Sequence, residues 1–187
     1  LWTRGDLSSR EILERVRYLD LAYSPRSSFI YQNVMYHAAG EVIAAASGMS
    51  WAQFVETRIF APLGMTRSTA TLAATQALRD PNTSAAHWLF GTENRRIDEV
   101  PVDPVAAAGS AWSTAEDAAR WLRFLLDSGR VNGRRLVSES AYRELFAPQT
   151  VVPAAQFYPS IALTQPRWMT YGLGWFQQDY RGRNVQM

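Results

Sequence analysis

The chain has 187 residues, 47% hydrophobic and 19% charged, with a formal net charge of +2. That balance belongs to a globular protein and argues against a disordered segment or a nucleic-acid footprint. It contains no cysteine, and all 19 basic residues are arginine. Disulfides, thiol nucleophiles, cysteine-held zinc and any step needing a neutral lysine amine are therefore excluded within these residues.

Ser8 and Glu11 form an S-x-x-E capping pattern, and Ile12, Leu13, Val16 and Leu19 follow at helical spacing. Tyr23 to Ser28 reads as a loop. The next helix is expected to be capped by Asn33, to bury Met35, Ala38, Ala39, Val42, Ile43 and Ala46, and to end at Gly48. Ser50 with Gln53 starts another helix, which Pro62-Leu63-Gly64-Met65 is expected to stop. Residues 66–105, with Pro81, Pro101 and Pro104, read as an irregular excursion holding a short strand or two. Ser113 and Glu116 start a helix lined by Trp121, Leu122, Leu125 and Leu126 and closed by Gly129. Asn132-Gly133 is a turn signal. A short helix near Glu139 to Phe146 follows, then a proline-broken loop from Pro148 to Pro166. Tyr171 to Phe176 begins a strand, and Arg181-Gly182-Arg183 turns into another.

Phe29-Ile30-Tyr31-Gln32-Asn33 places a phenol and a carboxamide two residues apart just before a helix. In extended chain such residues point the same way, so Tyr31 could act as a proton shuttle and Asn33 as a hydrogen-bond clamp in one cleft. No H-E-x-x-H pairing surrounds His37 or His87, which argues against a histidine metal site. His37 is expected to be structural or on the surface. Ser110 is expected at a cleft edge, not as a nucleophile, because no G-x-S-x-G surrounds it. Arg26 and Arg167 are candidates to line a carboxylate-binding cleft. No apolar run approaches the ~20 residues of a membrane span.

Phe29-x-Tyr31-x-Asn33, Ser47-Gly48, Pro62-Leu63-Gly64-Met65, Ser113-Thr114-Ala115-x-Asp117 and Tyr171-Gly172-Leu173-Gly174-Trp175 occur in that order. The order resembles the serine β-lactamase and penicillin-binding-protein family, in its class C, esterase and D-peptidase branch. The resemblance implies an α/β fold of the α+β type, a helical lobe with part of an antiparallel sheet, incomplete at both ends. It implies one partial hydrolase domain over residues 1–187, with no internal boundary.

The resemblance also assigns roles. Tyr31 matches the family's proton-shuttle tyrosine and Asn33 its substrate-orienting asparagine. The family's S-x-x-K and its K-T-G or H-T-G strand motif are missing, so this reads as a middle fragment of a serine hydrolase, inactive alone. A free tyrosine has a pKa near ~10, so roughly one in a thousand is phenolate at pH 7. Positive charge must favour the anion, and lysines supply it in the family's site.

The implied substrate is a small molecule or peptide: a β-lactam, a D-amino-acid peptide or a small ester. No cofactor, metal, nucleic acid or membrane span is implied, oligomeric state is left open, and relatives work in the bacterial periplasm or outside the cell. Missing strands should leave the isolated stretch poorly soluble or marginally folded. A non-catalytic binding or regulatory module on the same scaffold is the alternative, and a Ser-His-Asp triad using His37 or His87 is the competing enzyme reading.

Overall fold

The computed structural model describes residues 6–156 and 161–187. The opening Leu1-Trp2-Thr3 and part of the Pro148–Pro166 stretch lie outside them. The chain forms two compact units. One, mostly helical, comprises Leu1–Leu19 and Gln32–Leu122; the other, built on a sheet, comprises Asp20–Tyr31 and Arg123–Met187.

In the helical unit, α1 (Ser9–Val16) starts at the expected capping box. Ser8 Oγ accepts the Glu11 N–H, and the Glu11 carboxylate accepts the Ser8 N–H at 2.8 Å. Ile12, Val34 and Val105 form a core, with Leu7, Leu13, Val16 and Ala108 packed against it. Leu19 falls beyond the helix and is exposed.

Helix α2 (Asn33–Ser47) departs from expectation twice. Its cap is Gln32, not Asn33: Gln32 has extended backbone (φ −146°, ψ 106°), and its side chain accepts the Val34 N–H at 3.1 Å. Its buried residues are Val34, His37 and Gly40, while Met35 and Val42 are 51% and 67% exposed. Gly40 explains the inversion. A Cβ there would lie 2.6 Å from the Ala107 Cβ, so the close approach to the 3-10 turn Asp103–Ala108 turns the small residue inward. Gly48, at φ 71°, ends the helix as expected.

Helix α3 (Trp51–Val55), boxed by Ser50 and Gln53, continues through a π turn, Glu56–Phe60, into α4 (Ala61–Leu63). The run ends within Pro62-Leu63-Gly64-Met65, as expected: Pro62, which lacks an N–H, is accommodated after the widened π turn, and Gly64 at φ 70° closes the helix.

Residues 66–105 hold a helix that the sequence reading missed, α5 (Leu72–Leu78). Thr71 Oγ1 accepts the Ala74 N–H at 3.1 Å, and the distant Asp103 carboxylate accepts the Leu72 and Ala73 N–H groups at 2.7 and 3.0 Å. Strands β1 (His87–Phe90) and β2 (Glu93–Arg96) form a hairpin. Helix α6 (Ala115–Leu126) begins in this unit with Thr114, not Ser113, accepting the Asp117 N–H at 3.2 Å. Phe124 and Leu125 are buried, whereas Leu122 and Leu126, expected to line the helix, are exposed.

In the sheet unit, β3 (Arg130–Val131) and β4 (Arg134–Arg135) flank Asn132-Gly133, both at positive φ (49° and 78°), as the turn signal predicts. Helix α7 (Glu139–Leu145) follows. Then follow β5 (Thr150–Val151), a 3-10 turn (Ala154–Gln156), the short α8 (Ile161–Thr164), β6 (Met169–Gly172), β7 (Trp175–Tyr180) and β8 (Arg183–Gln186). The strands make an antiparallel sheet in the order β5-β6-β7-β8. Tyr171 to Phe176 is therefore a hairpin, not the start of one strand. Leu173 and Gly174, at φ 46° and 93°, turn the chain so that Tyr171 pairs with Phe176. The core of this unit is Phe29, Val152, Met169 and Phe176, with Tyr171 against it. Helices with an antiparallel sheet agree with the mixed α+β class expected from sequence.

Candidate active site

Tyr31 ends the Asp20–Tyr31 segment of the sheet unit and is 49% exposed. Its ring lies nearly parallel to that of Phe176, with centroids 6.4 Å apart and planes inclined by 17°. Phe176 is itself confined: the Tyr171 ring stands 4.6 Å away at 63°, and the Phe29 ring 5.8 Å away at 71°. Its backbone is confined as well. The Phe176 N–H donates to the Met187 carbonyl at 2.8 Å, and the Met187 N–H donates back at 2.9 Å. Sequence reasoning missed Phe176 as a neighbour of Tyr31. The Y-G-L-G-W motif leads directly into it, but nothing local connects the two rings.

Asn33 belongs to the helical unit, where it is the half-buried first residue of α2. Because Gln32 supplies the cap, the Asn33 carboxamide is not spent on it.

The other candidates have structural partners. His37 is buried, with Nε2 3.0 Å from the Ser9 carbonyl oxygen; exposed His87 has Nδ1 2.9 Å from the Ala85 carbonyl oxygen. Both rings thus engage backbone carbonyls. Ser110 is fully buried, contrary to the cleft-edge expectation, and its hydroxyl donates to the Ala70 carbonyl at 2.5 Å. Arg167 pairs with Asp179, Nε to Oδ2, at 2.9 Å, and donates its N–H to Oδ1 at 2.7 Å. The Arg167 side chain first, against a smaller desolvation, and then its backbone and that of Trp168 hold the Asp179 carboxyl below the usual carboxylate range. Arg26 is an exposed loop residue at φ 64°.

The S-T-A-x-D motif is a structural hub. Buried Asp117 accepts the Arg67 N–H at 2.8 Å and the Ser68 hydroxyl at 2.9 Å, and pairs with Arg120. Burial pushes this carboxyl up, but those hydrogen bonds together prevail and hold it below its ordinary value. The motif thereby ties the chain after Gly64 to the start of α6.

Among the described residues no group of three or more His, Cys, Asp or Glu side chains could hold a metal ion. Among them, too, no helix is long and apolar enough to cross a membrane.

Known proteins agree on the fold. An unguisins hydrolase of Aspergillus campestris is 27% identical over 95% of this chain and 32% of its own length. A D-aminopeptidase of Gluconobacter oxydans is 27% identical over 98% of this chain and 30% of its own length. The solved structure of a D-stereospecific amidohydrolase from Streptomyces superposes with a TM-score of 0.72 at 21% identity, over 98% of this chain and 49% of that one. The chain thus spans about a third of the length of those curated relatives. Its residues 1–185 match the family described as Beta-lactamase, and the chain belongs to that family.

Proposed function

We propose that this chain is the middle part of a serine hydrolase that cleaves amides by acyl transfer. The observation that carries this is the family match over residues 1–185. The activities named for similar proteins, a D-aminopeptidase and a D-stereospecific amidohydrolase, favour an amide next to a D-amino-acid residue. A peptide of that kind is the proposed substrate, ahead of a β-lactam or a small ester. The 187 residues act as part of one hydrolase domain, in a protein working outside the bacterial cytoplasm.

In this reading a serine outside these residues attacks the carbonyl, backbone N–H groups hold the oxyanion, and the acyl group passes to the serine oxygen. Tyr31 takes the serine hydroxyl proton and passes it to the leaving amine as the C–N bond breaks, and later takes a proton from the deacylating water and returns it to the serine oxygen as the acyl–oxygen bond breaks. Asn33 accepts from and donates to the substrate amide and the catalytic lysine. The lysine also comes from outside, because the chain has none. That absence is what favours the second reading, a binding module without catalysis, should the chain work by itself.

Reading the coding DNA on both sides tests the proposal. An S-x-x-K upstream and a K-T-G or H-T-G soon downstream are expected. A start codon just before Leu1 and a stop just after Met187 would sink it.

A further inference from the structure

We infer that Phe176 is a positioning residue for Tyr31, setting where the phenol oxygen stands during proton transfer. The inference rests on the reading of Tyr31 as the proton shuttle.

A tyrosine side chain is a lever with two rotatable bonds, and its oxygen sits at the far end. Small χ1 changes therefore swing the oxygen by an ångström or more. A displacement of about 1 Å in catalytic geometry costs on the order of a hundredfold in rate. Tyr31 is half exposed, so burial alone does not fix its ring. The nearly parallel ring of Phe176, offset with its centroid 6.4 Å away and inclined by 17°, flanks the Tyr31 ring on one side and limits its swing in that direction.

A stack positions a ring only if the ring beneath does not move. Phe176 meets that condition in two independent ways. Tyr171 and Phe29 meet it at 63° and 71°, the edge-to-face arrangement that aromatic quadrupoles favour. Its main chain is held by both hydrogen bonds to Met187, so β7 cannot slide against the strand beside it without breaking them. Phe176 is 9% exposed, which removes it from direct contact with most of any bound substrate. It acts through Tyr31 rather than on the reacting atoms.

A leucine or methionine at this position keeps an apolar filler but loses the flat face. A tyrosine or tryptophan keeps the face. Positioning therefore predicts that aromatic identity governs turnover, whereas simple core packing predicts that volume governs stability.

The test is a double-mutant cycle in the full-length hydrolase with a D-alanyl amide as substrate. Phe176→Leu is expected to lower kcat about tenfold to a hundredfold with KM nearly unchanged. Phe176→Tyr should restore most of it, and in a Tyr31→Phe background Phe176→Leu should cost little more. An equal loss in both backgrounds, or no loss in kcat, would overturn the positioning role while leaving Tyr31 catalytic. Full activity of Tyr31→Phe would instead overturn the shuttle reading beneath it. Should Phe176→Leu not fold, Phe176→Met takes its place.

Discussion

Each of the two units is held together internally by different physics. The helical unit is tied by carboxylates that accept backbone N–H groups from distant chain: Asp103 at the start of α5, Asp117 on Arg67, and Glu56 on the Ala70 N–H at 3.2 Å. The sheet unit is tied mainly by rings, with Phe176 edge to face against Phe29 and Tyr171, those two tilted against each other, and Met169 and Val152 alongside, although Asp179 also accepts the Arg167 N–H. Carboxylate ties are directional. Aromatic packing is insensitive to protons but sensitive to volume and shape.

The contrast can be broken at chosen positions. Asp117→Ala should have the largest effect, because it strands the Arg67 N–H and leaves Arg120 without its buried partner. A loss of about 3 kcal/mol is expected, seen by hydrogen exchange first at α6 amides such as that of Ala118. Gly172→Ala should cost the sheet unit about 2 kcal/mol, since the new Cβ would lie 2.3 Å from the Ala147 carbonyl oxygen. Its melt should fall while exchange at the Ala118 amide stays as it was. Thr71→Ala removes one cap contact of α5, the Ala74 N–H, and should cost about 1 kcal/mol in urea unfolding.

Acid gives the mildest test. Asp117 and Asp179 both have folded-state values below the ordinary one, so both contribute stability that is complete above about pH 4 and is lost as pH falls through the folded values. Asp179 pairs with an exposed arginine and contributes little. The protection factor of the Ala118 amide, taken against its intrinsic exchange rate at each pH, should therefore fall on acidification before that of the Phe176 amide. The reverse order would contradict the division between the units.

Where ties are local, the sequence was legible. The boxes at Ser8–Glu11 and Ser50–Gln53 lie where the pattern puts them, because both partners sit within one turn. The α2 face was misread because its inward side is chosen by Gly40 meeting Ala107, a contact no periodicity reveals. Helix α5 was missed although Thr71 offered a cap, since part of its N-terminal hydrogen bonding comes from remote Asp103. The hairpin inside Tyr171–Phe176 was hidden because its turn uses Leu173 in the left-handed region, where glycine or asparagine is the usual signal. Tyr31 and Asn33 stood out as a motif. The ring beneath Tyr31 did not, since Phe176 reaches it only through the folded sheet.

The most direct measurement of the central claim is to label the full-length protein with a serine-reactive fluorophosphonate and map the adduct by peptide mass spectrometry. The account predicts a single adduct on a serine outside residues 1–187, with a lysine three positions later. An adduct on a serine within these residues, Ser110 included, would contradict it.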